Sequence, residues 1–332
     1  MPQEIRFATF NVCNLALPGE HFYPDQEPYT QQQYDAKVAW IVQQIDALDA
    51  DVIGFQEIFS QAALREVLAR SVRYRDAHHV GFEPEVRNGN LTPNVALVSR
   101  LPVRAGAVMH AELPRQLSVT LPGMDEPVTR FTRPILQAQV VVSPTLVVNV
   151  VVCHLKSKRP DYRSDGSEDE LRHFDLAVLR SMIRCGVEAL GLRYLLTDQV
   201  QGNRVPLVVM GDFNDVASAM STQLVLGAGR YGKIGFDGRL FETYRIQSRR
   251  DPLRDVGFTH MYDGAYSTID HILVSEEFNP ASRYAIGEVL EVVYVNDHIA
   301  FRWAHASDHG LVMARIRLFG TPEPGPTRGN TA

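Results

Sequence analysis

The sequence has few cysteines, few tryptophans and no long apolar run. Its 332 residues include three scattered cysteines, Cys13, Cys153 and Cys185, without a CxxC spacing. This set predicts neither a disulfide framework nor a zinc cluster, and we expect small buried side chains. No stretch reaches the roughly 20 apolar residues that span a bilayer, and the first residues lack the pattern of a secretory signal. We therefore expect a cytoplasmic protein without a membrane span.

Several catalytic motifs are also absent. No GxSxG segment occurs, which disfavours a serine hydrolase of the α/β type. No HExxH accompanies His305, Asp308 and His309, which disfavours a transition-metal site there. The segment 227–233 fits GxGxxG, but Ile234 stands where a P-loop needs Ser or Thr, and later glycines interrupt the helix that should follow. We therefore interpret this segment as a loop.

The overall charge is moderate. The net charge is −6, with 45% hydrophobic and 22% charged residues, which is typical of a globular protein. This balance excludes a uniformly basic nucleic-acid-binding protein but leaves room for a local basic patch. We predict one domain over residues 1–319 and a flexible tail, rich in proline and glycine, over 320–332. No segment indicates an obligate protein partner.

Apolar runs bounded by turn residues predict eight strands. They cover residues 5–12, 51–55, 95–98, 135–142, 146–153, 206–211, 269–274 and 311–318. Apolar residues at helical spacing predict helices over 34–48 and 171–196. A three-residue connection at 143–145 indicates a hairpin and hence antiparallel pairing. We therefore predict an α/β fold with a mixed sheet, and long polar loops at 18–33 and 156–170 that are candidates for function.

Hard oxygen donors stand at the ends of the first two strands. Asn11 lies near the end of the first strand, and Glu57 follows the second. Amide and carboxylate oxygens are ligands that Mg²⁺ and Mn²⁺ accept. Each residue alone also has an ordinary interpretation, as a strand-end amide or as an acid that begins a helix.

A histidine and three cations follow the strand 146–153. They are His154, Lys156, Lys158 and Arg159. Such a group suits contact with a substrate phosphate. A solvated basic loop is the alternative.

Acidic residues mark three later strands. Asp212 and Asn214 follow the strand 206–211 in a tight turn, although Asx residues also simply make turns. Asp270 lies inside an apolar run and needs a partner, because buried charge is costly unless it is paired. Asp308 and His309 directly precede the last strand, and this His beside an Asp is the best candidate for a general acid or a phosphate contact.

These segments, in this order, resemble the endonuclease/exonuclease/phosphatase family, which includes DNase I-like nucleases, apurinic endonucleases, inositol polyphosphate phosphatases and bacterial sphingomyelinases. The matching segments are FNV with Asn11, GFQEIF with Glu57, VVCHLKSK with His154, GDFND with Asp212 and Asn214, STIDHILVS with Asp270, and SDHGLV with Asp308 and His309. They span residues 5 to 318. The resemblance implies a four-layer α/β/β/α sandwich with two facing mixed sheets.

The resemblance implies a metal site and a substrate site. Asn11, Glu57 and Asp308 would hold Mg²⁺, with Mn²⁺ as a substitute. Cys13 stands where some nucleases of the family have Asp, which leaves a second ligand from that strand open. The resemblance adds Arg133 as a contact to the substrate, with a surface arginine before a proline as the alternative. The loop cations Lys156, Lys158 and Arg159 complete the expected substrate-binding residues.

The resemblance also implies catalytic roles. Asp212 would position or deprotonate the attacking water, and Asn214 would hold the water or a phosphate oxygen. His154 and His309 would contact phosphate, with His309 oriented and kept cationic by Asp270.

The expected function is therefore Mg²⁺-dependent hydrolysis of a phosphate ester by in-line attack of water. A phosphodiesterase or nuclease is the first expectation, because Lys156, Lys158, Arg159 and Arg163 could follow a nucleic-acid backbone. The alternatives are a phosphatase or phosphodiesterase for an inositol phosphate, a phospholipid or another small molecule, and a non-catalytic binding module on the same fold.

Overall fold

The structure is a computed structural model that describes residues 3–162, 170–228, 238–250 and 257–319. Two six-stranded mixed sheets form its centre. Their strands, in chain order, are β1 (Glu4–Leu15), β2 (Val52–Ile58), β3 (His78–Gly81), β4 (Asn94–Ser99), β5 (Val108–Glu112), β6 (Arg130–Ser143), β7 (Leu146–His154), β8 (Leu207–Asp212), β9 (Phe241–Glu242), β10 (Asp270–Val274), β11 (Gly287–Val295) and β12 (Leu311–Leu318). The first sheet has the order β11-β12-β1-β2-β4-β3. The second has the order β9-β10-β8-β7-β6-β5.

Helices and short ribbons complete the described structure. The helices are α1 (Gln31–Leu48), α2 (Gln61–Arg70), α3 (Glu170–Val200), α4 (Met220–Leu226), α5 (Thr243–Ile246) and α6 (Asp297–Phe301). Two-stranded ribbons pair Val86–Arg87 with Asn90–Leu91, Val119–Thr120 with Pro127–Val128, and His260–Tyr262 with Ala265–Ser267. Single 3-10 turns occur at Arg115–Leu117 and Glu276–Phe278.

The two sheets face each other across an apolar core. Phe7 and Leu97 from the first sheet pack with Val152 and Met210 from the second. The sheets come close at Gly54, where an added Cβ would lie 3.1 Å from side-chain atoms of Val152 and Met210. The helices α1 and α2 cover the outer face of the first sheet, and α3 and α4 cover that of the second. The expected four-layer α/β/β/α sandwich is therefore confirmed.

The predicted elements are present, and the differences have local causes. The hairpin between β6 and β7 is antiparallel, as expected. Helix α1 begins at Gln31, earlier than predicted, because Thr30 and Gln33 form a capping box. The sequence analysis missed α2, β3, β5 and β11. The last three carry mostly half-buried or exposed side chains, so they lack the apolar runs on which strand prediction depends.

Some expectations fall on residues that the structure does not describe. The predicted tail 320–332, Arg163 and most of the segment 227–233 lie outside the described ranges. Within those ranges, no helix is both long enough and apolar enough to cross a membrane.

Candidate active site

The candidate residues converge at one edge of the two facing sheets. In the second sheet, His154 pairs with Asp212 and Asp212 pairs with Asp270. In the first sheet, Asn11 ends a regular stretch of pairing between β1 and β2, and Glu57 lies one position beyond it. Because β7 and β8 are parallel and β10 is antiparallel to β8, the ends of two strands and the start of a third meet here.

The backbone at this edge has unusual conformations. Cys13, Asn14, Glu57 and Asn214 all have positive φ, between 53° and 64°. A Cβ at Gly211 would collide with the backbone oxygen of Cys153. Non-glycine residues rarely adopt positive φ, and such conformations cost about 1–3 kcal/mol each and concentrate at functional sites. The clustering therefore indicates that the backbone at this edge adopts unfavourable φ angles in order to place these side chains.

Asp212 is the centre of the site. It is 1% exposed, and its Oδ1 accepts the Asn214 N–H at 2.8 Å. Its Oδ2 lies 3.1 Å from Asn11 Nδ2, 3.2 Å from His154 Nε2, 3.3 Å from Asn214 Nδ2 and 3.8 Å from His309 Nε2. Burial opposes ionisation, but His309, His154 and the Asn214 N–H outweigh it and hold the pKa of Asp212 well below its usual range. Asp212 is therefore ionised at neutral pH and can pair with its neighbours.

His309 and Asp270 form a hydrogen-bonded pair. His309 Nδ1 donates to Asp270 Oδ2 at 2.9 Å, and Thr259 Oγ1 accepts the Asp270 N–H at 3.1 Å. Burial opposes a charged imidazole, but the carboxylates of Asp270 and Asp212 raise the pKa of His309 well above its ordinary value. His309 is therefore cationic at neutral pH.

His154 has the opposite character. Burial and the nearby Arg133 guanidinium lower the pKa of His154 despite its contact with Asp212. Its buried Nδ1 has no hydrogen-bond partner among the described residues. Arg133 is 8% exposed and donates to the Leu155 carbonyl oxygen at 3.1 Å, so it lies beside His154.

The expected metal ligands lie together but differ in what they present. Glu57 is half-buried and its Oε2 accepts the Asn14 N–H at 3.1 Å. The Asn11 side-chain oxygen accepts the Cys13 N–H at 3.0 Å, while its nitrogen faces Asp212 and, at 3.5 Å, Glu57. Asn11 thus links two carboxylates through its nitrogen, while its oxygen accepts one hydrogen bond and keeps a second lone pair.

Asp308 and Cys13 complete this side of the site. Asp308 lies on the exposed rim and is hydrogen-bonded to Cys13. Burial raises the pKa of the Cys13 thiol above its ordinary value, and Asp308 and Glu57 add to this, so the thiol stays neutral. Glu57 and Asp308 are the carboxylates whose hard oxygens fit a Mg²⁺ or Mn²⁺ ion, whereas a neutral thiol does not.

Two groups of side chains that contain histidine could hold a metal ion, because their possible ligand atoms lie within 4.8 Å of one another. One group is His260, Asp308 and His309, and the other is Asp212, Asp270 and His309. In the second group both His309 nitrogens already face carboxylates. His309 is therefore already paired with both carboxylates of that group, which leaves it no nitrogen for an ion.

Of the described cations in the basic loop, Lys156 and Lys158 are engaged within the protein. Lys156 Nζ turns inward and donates to the carbonyl oxygens of Ser157 at 2.7 Å and Arg159 at 3.1 Å. Lys158 Nζ pairs with Asp215 Oδ1 at 2.5 Å. Arg159 is exposed and interacts electrostatically with Tyr23 and His260. Of the three loop cations, Arg159 is thus the one turned towards the site.

Three nearby residues were missed by the sequence analysis. Tyr23 is hydrogen-bonded to Arg133, and burial raises the pKa of Tyr23 to about 12. His260 packs its ring 5.1 Å from that of His309. Lys37, on α1, is 2% exposed and interacts electrostatically with Glu57 and Asp308. The loop 18–33 was expected to be functional and contains Tyr23, but nothing in the spacing of the sequence identifies the other two.

Comparisons with known proteins show which family the chain belongs to. A model described as the Endonuclease/Exonuclease/phosphatase family matches residues 8–309. Similar solved structures include a family protein from Leptotrichia buccalis (17% identity, TM-score 0.55, 93% of this chain and 98% of that chain), the mannosyl-6-phosphatase of Bacteroides thetaiotaomicron (15%, 0.55, 94% and 99%) and the human nocturnin catalytic domain with bound sulfate (14%, 0.55, 95% and 95%).

At these identities the structural similarity shows the fold alone. A search of curated proteins found no match. The family model, however, spans most of the chain and includes the six segments on which the resemblance was based, as far as His309. The chain belongs to the endonuclease/exonuclease/phosphatase family.

Proposed function

We propose that this protein is a metal-dependent phosphoric ester hydrolase that uses Mg²⁺ or Mn²⁺. The observation that carries the proposal is the arrangement around Asp212, where one buried carboxylate meets a cationic histidine, a neutral histidine and two amides. Glu57 and Asp308 lie beside it with oxygens that suit a hard ion. A divalent ion there would polarise a phosphate oxygen and offset its charge.

Residues of the chain orient the attacking water and stabilise the charge on the phosphate. The pKa of Asp212 is far below neutral, so Asp212 is a weak base and its role is to orient the attacking water. Cationic His309 stabilises the negative charge that develops on the phosphate oxygens, and Arg133 adds a second fixed cation. Asn214 Nδ2 donates to Asp212 Oδ2 and to the Leu155 carbonyl oxygen, so the side-chain oxygen of Asn214 is the atom that can accept a hydrogen bond from the water.

The substrate is best accounted for by a small phosphate ester. Extended nucleic acid needs a row of available cations, but Lys156 and Lys158 are engaged within the protein. A compact phosphate needs only Arg133, His309 and Arg159. The structurally similar Bacteroides thetaiotaomicron protein is a mannosyl-6-phosphatase, which fits a substrate of this kind. A nuclease is the second candidate, since Arg159 remains exposed at the site.

The test is a substrate panel assayed after chelation and after return of Mg²⁺ or Mn²⁺. The panel contains sugar phosphates, inositol phosphates, nitrophenyl phosphomonoesters and phosphodiesters, and single-stranded oligonucleotides. We expect no turnover without metal, recovery with either ion, and faster turnover of a small ester than of oligonucleotides. Glu57→Gln should lose this response, whereas Glu66→Gln, on the exposed face of α2, should retain it. Turnover at the full rate in metal-free protein would refute the mechanism.

A further inference from the structure

A buried carboxylate on α3 lies behind the phosphate-binding side of the site. Glu188 is 0% exposed. Its Oε1 accepts hydrogen bonds from the Thr132 N–H at 2.9 Å and the Thr132 hydroxyl at 2.5 Å. Its Oε2 accepts the Lys156 N–H at 3.0 Å. One side chain of a helix is thus bonded to the strand β6 and to the loop that follows β7.

Both partners are close neighbours of proposed phosphate contacts. Thr132 directly precedes Arg133 in β6, and Lys156 lies two residues after His154, where β7 ends. The pairing of β6 with β7 begins only at Leu136 and Val152, so it does not fix Arg133 relative to His154. Besides the hydrogen bond from Arg133 to the Leu155 carbonyl oxygen, the carboxylate of Glu188 links these two segments through Thr132 and Lys156.

The same face of α3 holds the loop after β7. Ser181 Oγ donates to the Ser157 carbonyl oxygen at 3.0 Å, and Cys185 Sγ donates to the Lys156 carbonyl oxygen at 3.1 Å. Ser181, Cys185 and Glu188 are spaced so that they share one side of the helix. Burial raises the pKa of Glu188 in spite of its hydrogen bonds. A carboxylate is therefore costly at this position, and packing alone would be served better by an apolar side chain.

We infer that Glu188 is a positioning residue, which fixes Arg133 relative to His154 so that Arg133 can engage a substrate phosphate beside the pair of His154 and Asp212. This inference rests on the proposed phosphoesterase function. Because Glu188 acts through backbone and hydroxyl groups, it does not itself touch the substrate.

The experiment compares the hydrogen bonds of Glu188 with a similar hydrogen bond between α3 and the other end of β7. The site variants are Glu188→Gln, which keeps the shape but replaces one acceptor by a donor, and Thr132→Val, which removes only the hydroxyl. Thr132→Ser is the conservative rescue. The matched control is Gln199→Ala, because Gln199 of α3 accepts a hydrogen bond from Asn149 at the other end of β7, at 3.0 Å.

The melting temperature of each variant is determined first, and three kinds of measurement are then made below it. They are kcat and KM, the Kd of inorganic phosphate by calorimetry, and the imidazole ¹⁵N shifts of His154 by NMR. We expect Glu188→Gln to lower kcat/KM by about 10- to 100-fold, as is common for groups that orient a site through other residues. Thr132→Val should act in the same direction, Thr132→Ser should be near wild type, and both site variants should weaken phosphate binding and move the His154 shifts.

Gln199→Ala should lower the melting temperature without these changes. If Glu188→Gln and Thr132→Val behave like Gln199→Ala, with only a lower melting temperature, the inference is wrong although the proposed function stands. If the wild type hydrolyses no substrate, the proposed function fails. The phosphate Kd and the His154 shifts then decide the inference alone, and unchanged values in both site variants overturn it.

Discussion

His154 and His309 approach the same carboxylate oxygen, yet their environments shift their pKa values in opposite directions. Their Nε2 atoms lie 3.2 Å and 3.8 Å from Asp212 Oδ2, and both rings are buried. The difference lies in what the rest of each ring meets. His309 has Asp270 on its Nδ1, whereas His154 has Arg133 nearby and no hydrogen-bond partner for its Nδ1 among the described residues.

Burial lowers the pKa of any histidine, so burial cannot distinguish these two. A second carboxylate outweighs burial at His309, while an arginine adds to it at His154. At neutral pH the site therefore holds one charged and one neutral imidazole around a single anion. The charged ring can stabilise phosphate charge, and the neutral ring keeps its Nδ1 available as an acceptor.

The largest expected effect comes from removing the anion that both histidines share. Asp212→Asn should lower kcat by about 10²–10⁴-fold, because the water loses its orienting group. The pKa values of His309 and His154 should both fall, since each loses a stabilising negative charge. Steady-state kinetics and histidine NMR would measure these changes, with circular dichroism to confirm the fold. A loss of less than about tenfold in a folded protein would remove Asp212 from this role.

The next largest effect should fall on the His309 side alone. Asp270→Asn removes the carboxylate that raises the pKa of His309, so that pKa should fall and the alkaline limb of the rate profile should move to lower pH. Adding Asp270→Asn to His309→Ala should cost little more than His309→Ala alone, because the orienting group has nothing left to orient. Fully additive losses would show that the two residues act independently.

A neighbouring pair provides the control for this experiment. Glu242 Oε1 lies 3.0 Å from His271 Nδ1, so it forms a similar buried carboxylate and histidine pair away from Asp212. Glu242→Gln should leave the pH profile in place.

The raised pKa of His309 also stabilises the folded state below the unfolded histidine pKa, and this contribution is lost as pH rises through the folded pKa. The free energy of unfolding lost in Asp270→Asn should therefore be larger at pH 6 than at alkaline pH.

A smaller effect should fall on the His154 side. Arg133→Gln removes a cation that lowers the pKa of His154, so that pKa should rise towards its ordinary value. Phosphate binding should weaken by roughly tenfold, as expected for the loss of a charge-assisted hydrogen bond. Histidine NMR and calorimetry with inorganic phosphate would measure both changes. An unchanged His154 pKa would show that burial alone sets it.

The sequence allowed the fold class to be predicted, because it depends on apolar strands, and the family resemblance assigned both histidines to one phosphate site. The sequence could not show that Asn11 uses its oxygen on the Cys13 N–H, nor that Lys156 turns inward. Those facts depend on positive φ angles and on tertiary contacts with α3, which leave no periodic pattern. Glu188 was missed for the same reason.

The smallest expected effect concerns the loop that follows His154 and has no counterpart beside His309. Lys158→Ala should change KM less than about twofold, because Lys158 is paired with Asp215 and does not contact the residues proposed to bind phosphate. Arg159→Ala should raise KM more and reduce the dependence of KM on salt concentration, because Arg159 is the loop cation turned towards the site. Each KM would be measured from low to physiological salt for a small ester and for an oligonucleotide. If Lys158→Ala and Arg159→Ala flattened the salt dependence equally, and for the oligonucleotide only, the loop would be a nucleic-acid track and the nuclease candidate would replace the small ester.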